Sequence, residues 1–405
     1  MTLTAQAAKQ QERLAAIGGL LPGFRERMRA SDDASSFPTE NFAELRERGL
    51  LALTAPAAVG GLGMWSEGAF SPYYELLDHL AYADTCTAQL VQVHSHALGF
   101  IGRHGTPKQH EDLLRPIVAN GELVASVGSE TAPRGNLPGV YATEMTPDGA
   151  GWRLSCVKYF ASLGPAADHL LLWIAMPGSE PYPDRTVTVL VPRTAPEIEI
   201  IDDWDVAGMR QTVSQSVRVT DLHVTADMVI GPPGAWVRDD PRTFTLAFAA
   251  NHVGLARAAL DFSVDWVRDR PYLADSDLVQ AALGELAAAV HGARSGVHAA
   301  AATWDTGLWS LAEAQSLMAV HHAKRTVLDV TTRAFDICGA RTAFRMFPLE
   351  AWQRDARTLT LHVRDDMQMR ELGRTLLDAG ETSKAALDTS VLPPASRRLS
   401  AGSNA

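Results

Sequence analysis

Between Thr243 and Leu361 the chain offers four stretches, Thr243 to Arg268, Asp275 to Trp304, Leu311 to Cys338 and Leu349 to Leu361, that are rich in alanine and leucine and free of internal proline. Apolar residues at a 3.6-residue period without a breaker predict long helices, and helices of that length must bury one stripe against each other. The C-terminal part of the chain is therefore expected to be a four-helix bundle. Asp365 or Asp366 is placed to N-cap one more helix through Leu377, which leaves His362 at a break between two helices, where a side chain can face a cavity.

The texture before the bundle is different. Ala5 to Ala30 carries a helical pattern, and Pro38-Thr39-Glu40 opens a second helix that stops at Gly49. Gly60 to Gly63 reads as a loop, and Tyr73 to Ala83, Ala88 to His104 and Pro107 to Asn120 read as three further helices. From Leu123 the runs become short and β-like: Leu123 to Gly128, Trp152 to Cys156, His169 to Ala175, Thr186 to Val191, Ile198 to Ile201 and Ser216 to Val219. Thr146-Pro147-Asp148-Gly149 and Met176-Pro177-Gly178 read as turns, and Ile230 to Gly234 as a linker. The class is α+β, with a helical domain over 1–122, a β-barrel-like domain over 123–234, a bundle over 235–392 and a tail over 393–405.

Composition narrows the partners. With 36 basic against 47 acidic residues the net charge is −11, so there is no cation excess to neutralise phosphates, and neither nucleic acid nor a membrane surface is an expected partner. Met1 to Ala16 lacks the apolar stretch of a signal peptide, which places the protein in the cytoplasm as an expectation. Cys86, Cys156 and Cys338 lie far apart, which argues against both a zinc site and a disulfide framework.

Arg354-Asp355-Ala356-Arg357 near the C-terminus resembles the arginine-aspartate-alanine signature of the acyl-CoA dehydrogenase superfamily, and the order helices, β-domain, bundle is that of the acyl-CoA dehydrogenase fold. In the dehydrogenases of that superfamily, the residue nine positions after this arginine is commonly the glutamate that removes the substrate's α-proton. Here it is Val363, which has no proton to exchange, and His362 stands directly before it. The other known place for the base, ten residues before a Gly-Leu pair, is Phe244 before Gly254-Leu255. At these points the chain is similar to the flavin-dependent monooxygenase branch, the dibenzothiophene monooxygenase-like and nitrososynthase-like proteins.

The resemblance carries further residues. Ser129-Glu130-Thr131 is similar to the segment that holds the flavin pyrimidine edge, with Ser129 as the binding residue. Lys158-Tyr159-Phe160-Ala161-Ser162 is similar to the second flavin strand, which makes Phe160 the aromatic cover and Ser162 the hydroxyl at flavin N5. In the stretch Asp203 to Thr212, Arg210 and Thr212 are expected to brace the β-domain, while Trp204 either packs in the core or, as the resemblance suggests, lines the substrate cavity. His94 and His96 cannot share a helix face, so at most one points inward; approximate alignment favours His94 as a third catalytic residue. Gly339 occupies the place of a Gly-Gly turn beside the cofactor, and Arg270-Pro271-Tyr272 replaces the Arg-x-x-Phe-Gly grip on the FAD pyrophosphate. That loss implies FMN rather than FAD, with Arg270 available to its phosphate.

What the resemblance implies is a two-component monooxygenase: reduced FMN from a partner flavin reductase, O2, a flavin C4a-peroxide, and S-, N- or aromatic C-oxidation of a small molecule, in a homotetramer. There is no G-x-G-x-x-G opening a βαβ unit for a nicotinamide. The alternatives are an acyl-CoA dehydrogenase or oxidase with a displaced base, holding FAD, and a non-catalytic scaffold of the same fold.

Overall fold

The computed structural model describes Glu12 and residues 15–65, 70–130, 143–238, 243–362 and 365–378. Among the described residues the leading elements include α1 (Leu21–Ala34), α2 (Thr39–Glu47), α3 (Ser71–Ala83), α4 (Thr85–His104) and α5 (Arg115–Asn120). Asp84 starts α4 as a true N-cap, its carboxylate accepting the Cys86 amide. The expected helix Pro107 to Asn120 is helical throughout but changes pitch, with a π-turn at His110–Leu114 before α5.

Two four-stranded sheets follow. One has the order β1 (Val124–Val127), β4 (His169–Ala175), β5 (Thr186–Pro192), β8 (Val229–Ile230); the other has β2 (Thr146–Asp148), β3 (Gly151–Lys158), β7 (Ser216–Val224), β6 (Ile198–Ile201). β1 runs parallel to β4, and the remaining pairs are antiparallel. Two pieces of this depart from expectation. Thr146-Pro147-Asp148, read as a turn, is an edge strand paired to β3, where a proline can sit because its missing N–H faces away from the ladder. Ile230, read as the start of a linker, instead belongs with Val229 to β8, which pairs with β5 as the other sheet's edge.

Beyond the short helix α6 (Ala235–Arg238) stand α7 (Phe244–Arg268), α8 (Asp277–Asp305), α9 (Trp309–Cys338), α10 (Leu349–Leu359) and α11 (Asp365–Asp378). α7 is the central helix, buried along most of its length and packed on α9, α3 and α8. At Gly254 a Cβ would lie 2.3 Å from the Asp78 carbonyl of α3, so the two helix backbones approach as only a glycine allows. One apolar core runs from Phe24 and Leu45 through Leu172 and Val217 to Phe248 and Val320, joining the first helices, both sheets and the start of the bundle. A second core around Trp266, Leu286 and Trp352 closes the far end of the bundle.

Candidate active site

α7 presents Phe244, Phe248 and His252 at i, i+4, i+8, on one face. His96 of α4 lies 5.5 Å from Phe244, and Phe248 lies 4.4 Å from the ring of His362, so two histidines bracket this stripe. The His96 ring stacks on Trp173 of β4 at 5.9 Å and meets Trp65 edge-on at 6.2 Å; Trp236 of α6 closes on Trp173 at 4.9 Å. Burial among these aromatics pushes His96 down to about 4, so the imidazole is neutral at pH 7. Its Nε2 is buried without a hydrogen-bond partner, a polar atom left over for a ligand.

His362 lies where the sequence places it, at the break between α10 and α11, with Val363 outside the described residues. It is exposed, although the protein around it is close enough to push its pKa down to about 4 by desolvation. His252, one turn beyond Phe248, is buried and held near 3 by desolvation, with the Lys324 and His362 charges adding to the effect.

The two histidines differ in their neighbours, although the Nε2 of each is buried without a hydrogen-bond partner. His94 is fully buried, and its Nδ1 accepts the Val124 amide of β1 at 3.0 Å, which makes the ring a clamp between α4 and the first strand. Two positions along one helix turn the two rings to different neighbours, and only packing against β1 decides which one is spent on structure.

The β-domain contributes a second group. Phe160 is 64% exposed and sits at φ 55°, a left-handed conformation that costs a bulky residue roughly 1–3 kcal/mol. Its edge meets Trp204 at 6.2 Å, and the indole Nε1 of Trp204 points to the Met209 carbonyl at 3.4 Å. Half-buried Trp204 thus braces Phe160 and is not a deep core residue. Leu163, Met209 and Val213 also have positive φ, so two facing loops are held in unusual conformations around Ser162. The side chain of Ser162 is bonded to Ser214 at 2.7 Å, and Ser214 to Thr212 at 2.8 Å, hydroxyls that sequence reasoning did not connect.

Ser129 is exposed, and its carbonyl accepts the Tyr159 amide at 2.9 Å, tying the end of β1 to the Phe160 loop. Beside it Glu130 pairs at 2.6 Å with Lys158, which is entirely buried. Thr131 lies outside the described residues.

The arginine-aspartate-alanine signature explains how the loops are held. Arg354 pairs with Asp32 of α1 at 2.7 Å and Glu350 at 2.9 Å, and donates to the Ala207 carbonyl. Asp355 accepts the Met209 amide. A Cβ on Gly208 would lie 2.2 Å from the Arg354 carbonyl, so the loop rests directly on α10. Arg210 reaches the Asp32 carbonyl at 2.8 Å; it braces the loop to α1 and does not work within the β-domain alone.

Arg270 and Gly339 are not brought to this group within one chain. α7 is 25 residues long, about 37 Å at 1.5 Å per residue, with Phe244 first and Arg270 just past its end. There the Arg270 guanidinium lies 3.5 Å over the Trp266 ring and donates to the Trp266 carbonyl at 2.6 Å. Its charge also reaches Cys338, the neighbour of Gly339, so those two candidates form a separate cluster at the far end of the bundle.

Residues 23–122 match the family model for the acyl-CoA dehydrogenase N-terminal domain and residues 245–375 that for the acyl-CoA dehydrogenase C-terminal domain. The chain belongs to the acyl-CoA dehydrogenase superfamily. It is 26% identical over 407 residues to a dibenzothiophene monooxygenase of Mycolicibacterium goodii, across 93% of this chain and 96% of that one. It is 27% identical over 383 residues to the putative acyl-CoA dehydrogenase YdbM of Bacillus subtilis (strain 168), across 88% and 94%. The structure of FMN-bound TdsC from Paenibacillus sp. A11-2 superimposes with a TM-score of 0.81 at 26% identity, covering 91% of this chain and 98% of TdsC.

Proposed function

We propose that this protein is a flavin-dependent monooxygenase of the two-component type, which uses reduced FMN from a separate flavin reductase, and O2, to oxygenate a small organic molecule. One observation carries the reading: both places where the family's dehydrogenases keep a carboxylate base hold Val363 and Phe244, while neutral His96 and His362 bracket the aromatic stripe of α7. The residues suit a flavin, since an exposed, strained Phe160 and the Ser162 hydroxyl stand together on one loop with a planar surface to offer. When bound, reduced flavin supplies the electrons that activate O2.

The chain's own residues then have separable tasks. Phe160, braced by Trp204, covers the ring and excludes water; Ser162 meets N5, and Ser129 the pyrimidine edge. Neutral His362 and His96 hold or donate a proton at the oxygen being transferred, a role open to an imidazole whose nitrogens are not committed to the fold. The aromatic walls around His96 favour a flat, apolar substrate, in keeping with the FMN and indole complex in which TdsC has been crystallised. Arg270 and Gly339 serve only across a subunit boundary, which supports a homotetramer with FMN phosphates gripped from the neighbouring chain. Dependence on a nicotinamide-driven reductase supports a cytoplasmic location, and no helix among the described residues is long and apolar enough to cross a membrane.

The test compares binding of FAD, oxidised FMN and anaerobically reduced FMN, together with acyl-CoA-dependent reduction of a dye. Reduced FMN is expected to bind and acyl-CoA to leave the dye oxidised. Retention of FAD with dye reduction by acyl-CoA would make the protein a dehydrogenase with a displaced base.

A further inference from the structure

The hydroxyl chain behind Ser162 has a direction. Thr212 Oγ1 donates to the Met209 carbonyl at 2.7 Å, and a carbonyl can only accept. Having spent its one proton there, Thr212 must accept from Ser214, 2.8 Å away. Ser214 has then spent its own, and the 2.7 Å contact with Ser162 requires Ser162 to donate. The Ser162 amide is committed as well, to the Phe160 carbonyl at 2.9 Å. Its neighbours are likewise engaged: the amide of Ala161 with Gln215, that of Leu163 with Thr212 and that of Gly164 with Ala161. From Ala161 to Gly164 the turn presents lone pairs and no free N–H or O–H.

We propose that Ser162, polarised by Ser214 and Thr212, is a pure hydrogen-bond acceptor that selects the protonated N5 of reduced flavin against the unprotonated N5 of oxidised flavin. Oxidised isoalloxazine offers only a lone pair at N5 and meets another lone pair there. Reduced isoalloxazine carries N5–H and completes the chain, which then runs from flavin through three hydroxyls to the Met209 carbonyl. Met209 is itself anchored through its amide to Asp355, so the α10 signature holds the far end of the relay. Ser214 and Thr212 are positioning residues in this scheme, because they act only through Ser162. The inference rests on the flavin reading above and on Ser162 as the N5 partner.

The experiment measures dissociation constants for oxidised and anaerobically reduced FMN, and the midpoint potential of bound FMN, in the parent, Ser214→Ala, Ser214→Thr and Ser162→Ala. Ser214→Ala frees the Ser162 proton to turn outward, so binding of oxidised FMN should tighten and the preference for reduced FMN should fall by about tenfold, the worth of one hydrogen bond in place of a clash of acceptors. For a two-electron couple that factor is a potential lower by about 30 mV. Ser214→Thr keeps a hydroxyl in the chain and should keep the parent ratio. Ser162→Ala should lose the preference from both sides, weakening reduced FMN and relieving oxidised FMN of the facing lone pair, which checks the idea if Ser214→Ala does not fold. A parent that binds both forms equally, or a Ser214→Ala ratio and potential within twofold of the parent's, overturns the inference and leaves the flavin reading standing. A parent that binds neither form removes both.

Discussion

His362 and His94 both carry imidazoles that desolvation pushes down to about 4, but His94 is buried and His362 exposed, and they differ in what they touch. His94 accepts a strand amide; His362 lies against Phe248 with part of its surface open to solvent. His94→Ala should therefore leave a buried N–H without a partner and cost about 1–3 kcal/mol of stability while product per oxygen consumed is unchanged. His362→Ala should do the reverse, keeping the melting temperature and lowering product formation roughly 10²- to 10⁴-fold, with hydrogen peroxide appearing in its place. Melting curves and oxygen-to-product ratios on the two variants decide the matter; full coupling in His362→Ala would end the catalytic assignment. His362 was legible because a histidine before an apolar residue at the family's base position is a local pattern. His96 was not, since the choice between two histidines two positions apart depends on how α4 is rotated against β1 and β4.

At the scale of elements, α10 and the loop before β7 act as one unit. Three carboxylates meet there in the interior: Asp32, Asp84 and Asp355. Desolvation raises Asp355 to about 7, with the Met209 amide opposing and Asp32 adding to the rise. A carboxyl whose folded pKa exceeds its unfolded value of 3.8 contributes stability that is fully present below 3.8 and is lost progressively as pH rises towards about 7. Asp355→Asn retains an oxygen for the Met209 amide and cannot ionise. Its melting temperature, relative to the parent's, should climb between about pH 4 and pH 7 and level off above, and a difference that is flat across that window would show that the folded-state carboxyl is not raised. The elements themselves were largely readable: His169–Ala175 and Ile198–Ile201 have the bounds that short β-type runs between turn residues predict, and the bundle helices differ from expectation by a residue or two. The edge strands β2 and β8 were not, because three- and two-residue strands owe their existence to a partner already in place.

For the whole molecule, the separation of Arg270 from His362 by most of the length of α7 has a consequence for assembly. If Arg270 is to meet a cofactor phosphate, about 30 Å of α7 stands between it and the ring site, and another subunit must bring it there. α8 points the same way: its buried face is a single stripe from Leu286 to Trp304, and alanines along the rest of it leave a smooth surface against which a second helix can pack. Light scattering at micromolar protein should give a mass four times that of the chain, and a monomeric mass would remove Arg270 and Gly339 from the cofactor site.

The sequence by itself determined the α+β class, the long helices of the bundle, the loss of both carboxylate positions and the placing of His362, because each is a property of neighbours along the chain: apolar period, absence of proline, residue type beside a motif. Tertiary structure alone decided that His94 accepts a strand amide while His96 packs among aromatic rings, that Trp65 and Trp173 meet His96 and Trp236 closes on Trp173, that Ser162 is joined to Thr212 through Ser214, and that Arg270 lies at the far end of α7 over Trp266. The reason is geometric. Each of these facts depends on the rotation of a helix, the direction of a hydroxyl proton or the length of an element between two residues, and those are set only when separate segments pack against one another.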